Sequence, residues 1–322
     1  MPLRVLITGI TGFAGSHLAE KLVAEGYEVH GFALEAPPFP NLASVAADVR
    51  IHRGDIGSIV DLRAAMRAAR PEVVLHLAGQ AVPTLAARDP VAAVRVNVLG
   101  TAALLASLSE QPRTAVVLAS TGDVYGMPER SPVTEDTPIA PNNPYAATKV
   151  AAEALIRDLG GREHRPAVIL RATNQIGPRQ HEALAASAFA KQIAEAEAGR
   201  AAPVVRHGSL DARRDFIDVR DMADAYARAA AIREPGASIF NVGTGHAVGI
   251  DEILTTLIGH ARIPILAELD PERVRAGIAP ALALDASRFR ARTGWQPRIA
   301  LETSLRDLLD YWRARVREGV RV

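Results

Sequence analysis

The sequence predicts an α/β fold: a doubly wound parallel sheet with a smaller, loop-rich C-terminal lobe. Three observations carry this. Short apolar runs alternate with helix-periodic stretches through the first half of the chain. A three-glycine turn, Gly9-x-x-Gly12-x-x-Gly15, joins the first run to the first helix. Beyond Arg171 the apolar runs thin out, and short helices are separated by Pro178, Pro203, Gly208, Pro235, Pro264, Pro271 and Pro280.

The elements follow in order. Residues 3–7 are apolar and read as a buried strand that breaks at Gly9. A helix begins at about Gly12, with Leu18, Leu22 and Val23 on one face. Residues 28–34 form a second strand, and the proline-rich residues 36–40 a loop. Residues 49–52 are a short strand ending at Gly54-Asp55-Ile56, and Ile59–Ala69 is helical. Residues 73–77 form a buried strand ending at Ala78-Gly79-Gln80. The next helix runs through Val96, Val98 and Leu99 to Leu108. Residues 115–119 are a strand ending at Ser120-Thr121-Gly122, and a loop rich in Pro and Asn extends to Pro144. A helix spans about 145–160, and residues 167–170 are another strand. Continuously apolar strands belong to a parallel sheet covered on both faces, and right-handed crossovers make it doubly wound. Ala237–Val242 reads as a strand that returns to this sheet. The expected division is 1–170, with a returning segment near 215–245, and 171–322, the two interleaved.

Composition narrows the function. Thirty-seven basic residues against 36 acidic ones give a net charge of +1. No global field therefore draws nucleic acid or a membrane surface, and an anionic ligand must be held by local arginines. Without cysteine there are no disulfides, thiol chemistry or thiolate metal site, and no metal is expected. The chain enters its first strand without a charged leader, so no signal peptide is expected. No apolar run is long enough to span a bilayer, and a cytoplasmic location is the expectation.

The glycine turn points to a ligand. A strand turning sharply into a helix aims the first free backbone N–H groups at one spot. The glycines let a pyrophosphate approach them, and the helix N-terminus favours its charge. This makes residues 9–15 (Gly9, Thr11, Gly12, Phe13, Ala14 and Gly15 among them) a dinucleotide cradle. A second pattern lies further on. Thr121 stands at a strand end, and Tyr145 and Lys149 are one helical turn apart. The ammonium would lower the phenol's pKa, and Tyr145 would move a proton beside Thr121.

Taken together, Thr8-Gly9-x-x-Gly12-x-x-Gly15, Asp55-Ile56, Leu77-Ala78-Gly79, Asn97-Val98-Leu99-Gly100-Thr101, Ser120-Thr121, Val124-Tyr125-Gly126 and Tyr145-x-x-x-Lys149 resemble the extended short-chain dehydrogenases/reductases acting on nucleotide sugars. The resemblance spans nearly the whole chain. It implies a Rossmann sheet and an NAD(P) cofactor, with Asp55 and Ile56 at the adenine edge and Leu77, Ala78 and Gly79 along the cofactor. Asn97 would orient the helix behind the active site. Thr121, Tyr145 and Lys149 would be catalytic, and Lys149 would also bond the nicotinamide ribose. Asp123 is a fourth catalytic candidate.

The second half sharpens the resemblance. Arg171-Ala172-Thr173-Asn174-Gln175-Ile176-Gly177-Pro178, Phe189-Ala190-Lys191-Gln192-Ile193 and Arg213-Arg214-Asp215-Phe216 are most similar to the branch that reduces GDP-4-keto-6-deoxy-mannose to GDP-rhamnose. The substrate contacts it implies are Gln80, Thr121, Asn174, Lys191, Arg214 and Arg275, with Arg214 near the diphosphate. Three departures stand out. Asp123 replaces a family Glu. Arg275-Ala276-Gly277-Ile278 keeps the arginine of an Arg-Pro-x-(Asp/Glu) stretch but not the acid. Glu35 ends the second strand region where Asp would mark NAD and Arg would mark NADP, which leans the cofactor toward NAD(H), with Arg53 as the opposing base.

The resulting expectation is NAD(P)H-dependent reduction of a sugar 4-keto group. A 4,6-dehydratase and a 4-epimerase remain as alternatives built on the same triad. A non-catalytic dinucleotide sensor would have no use for the proton donor. A homodimer is expected because Val150, Ala151, Ala154 and Leu155 widen the apolar face of one helix, and the helix over 91–108 is apolar on more than one side.

Overall fold

The computed structural model describes residues 2–274 and 281–319. The first half alternates as β1 (Arg4–Thr8), α1 (Phe13–Ala24), β2 (Glu28–Ala33), β3 (Val49–Arg53), α2 (Ile59–Ala69) and β4 (Val73–His76). Then come α3 (Pro83–Arg88), α4 (Pro90–Val94), α5 (Gly100–Ser107), β5 (Ala115–Thr121), α6 (Pro144–Glu163) and β6 (Ala167–Ala172). The second half contains β7 (Asn174–Ile176), α7 (Ala185–Glu197), β8 (Val204–His207), β9 (Arg213–Asp218), α8 (Val219–Ala229) and β10 (Ala237–Val242). It ends with β11 (Ala247–Gly249), α9 (Ile250–Gly259), β12 (Leu266–Leu269), α10 (Ser287–Thr293) and α11 (Leu301–Glu318).

The main sheet has seven strands in the order β10-β6-β5-β4-β1-β2-β3, every pair parallel. Alternate residues of each strand feed opposite cores. Val5, Ile7, Val117 and Leu170 pack on one face with α1 and α8; Leu6, Val74, Val116 and Leu118 pack on the other with α2, α5 and α6. Burial on both faces is why these strands are apolar throughout. Strand order reverses between β1 and β4, and a crevice opens there at the C-terminal strand ends.

The chain leaves the sheet after β6, builds a three-stranded sheet β11-β9-β7, and sends α8 and β10 back to the main sheet. The lobe has its own core, where α7, α9 and α11 meet around Ile193, Leu257 and Leu308.

Two details differ from the sequence reading. The helix after β4 is interrupted by a π turn, Arg95–Leu99, between α4 and α5. Counted through that turn, Pro90–Glu110 has mean hydropathy 1.7, enough by length and composition to cross a membrane, although no such run was expected. The reading looked for an unbroken apolar run, whereas Arg95, Asn97 and Thr101 interrupt this helix without lowering its average enough. Nearly half of it is buried within the fold, beside α6.

Candidate active site

A cleft of about 780 Å³ follows the C-terminal ends of the main sheet strands, with the lobe as its far wall. At its near end the glycine turn is sterically required. Gly9 has φ +72°, and a Cβ there would lie 2.8 Å from the Ala78 backbone. A Cβ on Gly15 would lie 2.2 Å from the Gly9 carbonyl oxygen. Gly12 caps α1 with no side chain to fill the space. The residues present therefore fit a dinucleotide pyrophosphate. Thr11, Phe13 and Ala14 complete this wall.

Glu35, Asp55 and Ile56 line the end beside β2 and β3. The Thr11 hydroxyl donates to Glu35 Oε2 at 3.0 Å, which fixes the carboxylate at the cleft. Arg53 turns its Nε to the Leu34 carbonyl at 3.4 Å, and Arg95 stands 3.8 Å from the Asp55 carboxylate. Leu77, Ala78 and Gly79 form the middle of the wall.

At the other end β5 runs through Thr121, and α6 starts one residue before Tyr145. Asn143 caps α6 by accepting from the Ala146 N–H at 2.9 Å. Tyr145 and Lys149 are both buried, and the Tyr145 and Thr121 side chains are hydrogen-bonded. Burial, then the charge of Asp123, pushes the phenol above its ordinary value; the Thr121 bond opposes this. The expected lowering by Lys149 is not what the chain's own groups produce. The ammonium instead donates to the Ala119 carbonyl at 2.8 Å. Lys149 is lowered to about 8 by burial, against the opposing charge of Glu153 one turn further along α6. Asp123 is raised by burial and lowered by the Arg214 guanidinium, which reaches over from β9.

Asn97 lies in the π turn and outside the cleft wall. Its Oδ1 accepts from the Gln80 N–H at 2.8 Å, and its Nδ2 donates to the Gln80 carbonyl at 3.2 Å and to Thr148 Oγ1 at 2.9 Å. It ties the strand-end loop to α6, and a Cβ on Gly79 would sit 2.9 Å from its oxygen.

The substrate candidates separate. Asn174 and Arg214 line the cleft, Asn174 with its amide donating to the Asp215 carbonyl at 3.1 Å. Asp215 accepts backbone N–H groups of Thr244, Gly245 and Leu284, and Asp218 takes Arg220 and Ser304. Gln80 is not part of the cleft wall; its Oε1 accepts from the Val82 N–H at 3.3 Å. Lys191 is also elsewhere. It pairs with Glu182 and lies 5.6 Å over the Trp312 ring, because α7 turns that face to α11. Arg275 lies outside the described residues.

Sequence reasoning missed a buried network behind Tyr145 and Lys149. Glu153 accepts from Ser120 Oγ at 2.6 Å and from Arg171 Nη2 at 2.7 Å. Arg171 donates to the Tyr125 hydroxyl at 2.9 Å, which donates to Asn241 at 2.7 Å. The spacing Tyr145, Lys149, Glu153 was the available signal, since the three share a helix face. Leu282 and Leu284, which close the cleft, come from distant sequence and gave none.

The profile of the GDP-mannose 4,6 dehydratase family matches residues 6–308. The chain is 34% identical to the GDP-6-deoxy-D-mannose reductase of Pseudomonas aeruginosa, across 99% of this chain and 100% of that one. A solved structure of RMD from Pseudomonas aeruginosa complexed with NADPH superposes with TM-score 0.82 at 31% identity, covering 97% of this chain and 99% of that one. The Thermus thermophilus UDP-glucose 4-epimerase in complex with NAD superposes with TM-score 0.85 at 31% identity, with the same coverage.

Proposed function

The chain belongs to the GDP-mannose 4,6 dehydratase family of extended short-chain dehydrogenases/reductases, and within it we propose that it reduces the 4-keto group of a nucleotide-linked 4-keto-6-deoxyhexose, of the GDP-4-keto-6-deoxy-mannose to GDP-rhamnose type. It is an NAD(P)-dependent enzyme of nucleotide-sugar chemistry. The observation that carries the reading is the buried Tyr145–Thr121 pair, whose phenol is kept protonated by burial and by Asp123. A proton donor needs that form.

NAD(P)H, when bound, supplies the hydride. Tyr145 gives its proton to the oxygen of the reduced carbonyl, and Thr121 holds that oxygen beside the phenol. Lys149 presents an ammonium under the loop at Gly79. Arg214 supplies charge for the diphosphate, and Leu282 and Leu284 exclude water from the reacting end. A dehydratase or epimerase would use the same Tyr145 to take a proton from the C4 hydroxyl, so the preference for reduction is supported by the 34% identity to the Pseudomonas reductase. The Glu35 carboxylate, held by Thr11, would repel a 2′-phosphate and supports NAD(H), although the Pseudomonas RMD structure contains NADPH. The same reading makes the chain a homodimer through α6 and the helix Pro90–Glu110.

The test uses two assays. With a GDP-4-keto-6-deoxyhexose, loss of reduced cofactor is expected, faster with NADH than NADPH, and slowed less than about a hundredfold by Asp123→Asn. With the parent GDP-hexose and no reductant, the wild type should make no 4-keto product. Consumption of the parent sugar that Asp123→Asn stops would replace the reductase with a dehydratase.

A further inference from the structure

Asp215 is fully buried, and the proposed reduction makes no use of its carboxylate. Its neighbours on β9, Arg214 and Phe216, line the cleft. Successive strand residues point to opposite sides, so Asp215 turns away from the cleft and stands behind its wall. There its oxygens collect donors from two distant stretches of chain. Oδ1 accepts from the Thr244 hydroxyl at 2.6 Å and the Thr244 N–H at 3.1 Å. Oδ2 accepts from the Gly245 N–H at 3.1 Å and the Leu284 N–H at 3.2 Å. The main chain of the same residue adds more. Its N–H donates to the Leu282 carbonyl at 2.9 Å, and its carbonyl accepts from the Thr173 hydroxyl at 2.7 Å and the Asn174 amide at 3.1 Å. A Cβ on Gly243 would lie 2.6 Å from Asp215 Oδ2 and 3.1 Å from the Leu284 Cβ, so the segments meet without spare room.

The wall held in this way is at the sugar end. Asn174, Arg214, Leu282 and Leu284 all line the cleft. A Cβ on Gly122, the residue after Thr121, would lie 3.0 Å from both Leu284 methyl carbons. Residues 281–285 are braced on their other edge by Val133, whose N–H donates to the Ala283 carbonyl at 2.9 Å and whose carbonyl accepts from the Asp285 N–H at 2.9 Å. That edge keeps the stretch in the fold, while the Asp215 edge ties it to the strand bearing Arg214. Among the described residues, Asp215 bonds nothing on β1, β2 or α1, which carry the cofactor cradle. We propose that Asp215 is a positioning residue for the sugar nucleotide: through the Leu284 and Gly245 N–H groups it sets residues 281–285 against Arg214 and so fixes the shape of the sugar end. This rests on the reductase reading above and concerns its substrate, not its cofactor.

The test is the split between KM and kcat. Asp215→Asn keeps the shape but turns an NH₂ group toward main-chain N–H donors. With a GDP-4-keto-6-deoxyhexose and reduced cofactor, KM for the sugar should rise about tenfold. The value of kcat should stay within about threefold, and cofactor affinity by fluorescence titration should not change. A role in folding alone would do the opposite: kcat and cofactor-binding capacity would fall together, with KM at its wild-type value. Thr244→Val removes the hydroxyl, keeps the main-chain N–H bond and serves if Asp215→Asn does not fold; KM should rise about threefold. The double variant should be no worse than Asp215→Asn, because both changes act through one carboxylate. An unchanged KM in folded Asp215→Asn, or in Thr244→Val where the former does not fold, overturns the proposal. So does a double variant whose KM multiplies the two single effects. A wild type that reduces no such sugar overturns instead the reductase reading beneath it.

Discussion

In the proposed reduction, the Tyr145 oxygen is the atom on which the chemistry turns. Burial and the neighbouring Asp123 keep it protonated, and Thr121 shares its hydrogen bond. Tyr145→Phe removes that oxygen and little else, since the ring packs with Ala86 and Ala93. Turnover should fall by about 10²–10⁴-fold, while cofactor affinity, measured by fluorescence titration, stays nearly intact. A variant retaining more than about a tenth of the wild-type rate would remove Tyr145 from the proton-donor role. Residues of this kind were legible because chemistry imposes a spacing: a phenol and an ammonium one turn apart, after a strand-end hydroxyl. Lys191 shows the limit. Its neighbours in sequence gave no sign that Glu182 and Trp312 would claim it. The leucines at 282 and 284 were invisible for the same reason, since only the fold brings them to the cleft.

At the scale of elements, α6 organises the reacting end. Tyr145, Lys149 and Glu153 follow one another on successive turns, and Glu153 is fully buried. Its carboxylate neutralises Arg171, bonds Ser120 and favours the charged form of Lys149. Glu153→Gln leaves the Arg171 guanidinium buried without a counter-charge, a loss of about 3–5 kcal/mol measurable by denaturant unfolding. It also lets burial act on Lys149 unopposed. The ammonium, held at about 8 in the native chain, then loses its proton at lower pH. The alkaline limb of kcat/KM should move down in pH accordingly. A folded variant whose limb stays in place would limit Glu153 to a structural role. The start of α6 was legible from the Pro- and Asn-rich loop that ends at Pro144, and most strands were legible from unbroken apolar runs. The π turn was not, because hydrophobic periodicity cannot register one extra residue per turn, yet that turn places Asn97 against Gln80 and Thr148.

For the whole molecule, the sheet order places the cleft, and the helices beside it leave one face uncovered. Along Pro90–Glu110, Val91 is 77% exposed, Leu99 57% and Val94 44%. These residues recur at helical spacing, and the helix packs beside α6, on which Ala147 and Ala154 are exposed and Ala151 and Leu155 are partly so. Val150, expected on this strip, instead packs inward with the Val124 cluster. The sequence signalled a second apolar face on both helices but not which residues form it, since that depends on where each helix meets the sheet. Two such helix pairs facing each other across a two-fold axis would bury this strip in a four-helix interface, where a stable dimer needs roughly 1,200–2,000 Å². The Arg95 guanidinium, paired with Asp55 at the cleft, lies on the same helix, so the interface would also stiffen the adenine edge. Light scattering at micromolar concentration should therefore give twice the chain mass. Val91→Glu combined with Leu99→Glu places like charges across the axis and should give a monomer that stays folded, because exposed substitutions change chain stability by only about 0.5 kcal/mol. Cofactor affinity should fall in that monomer as the adenine edge loosens. A wild-type monomer, or a double variant that remains dimeric, would show that this strip is not where two chains meet.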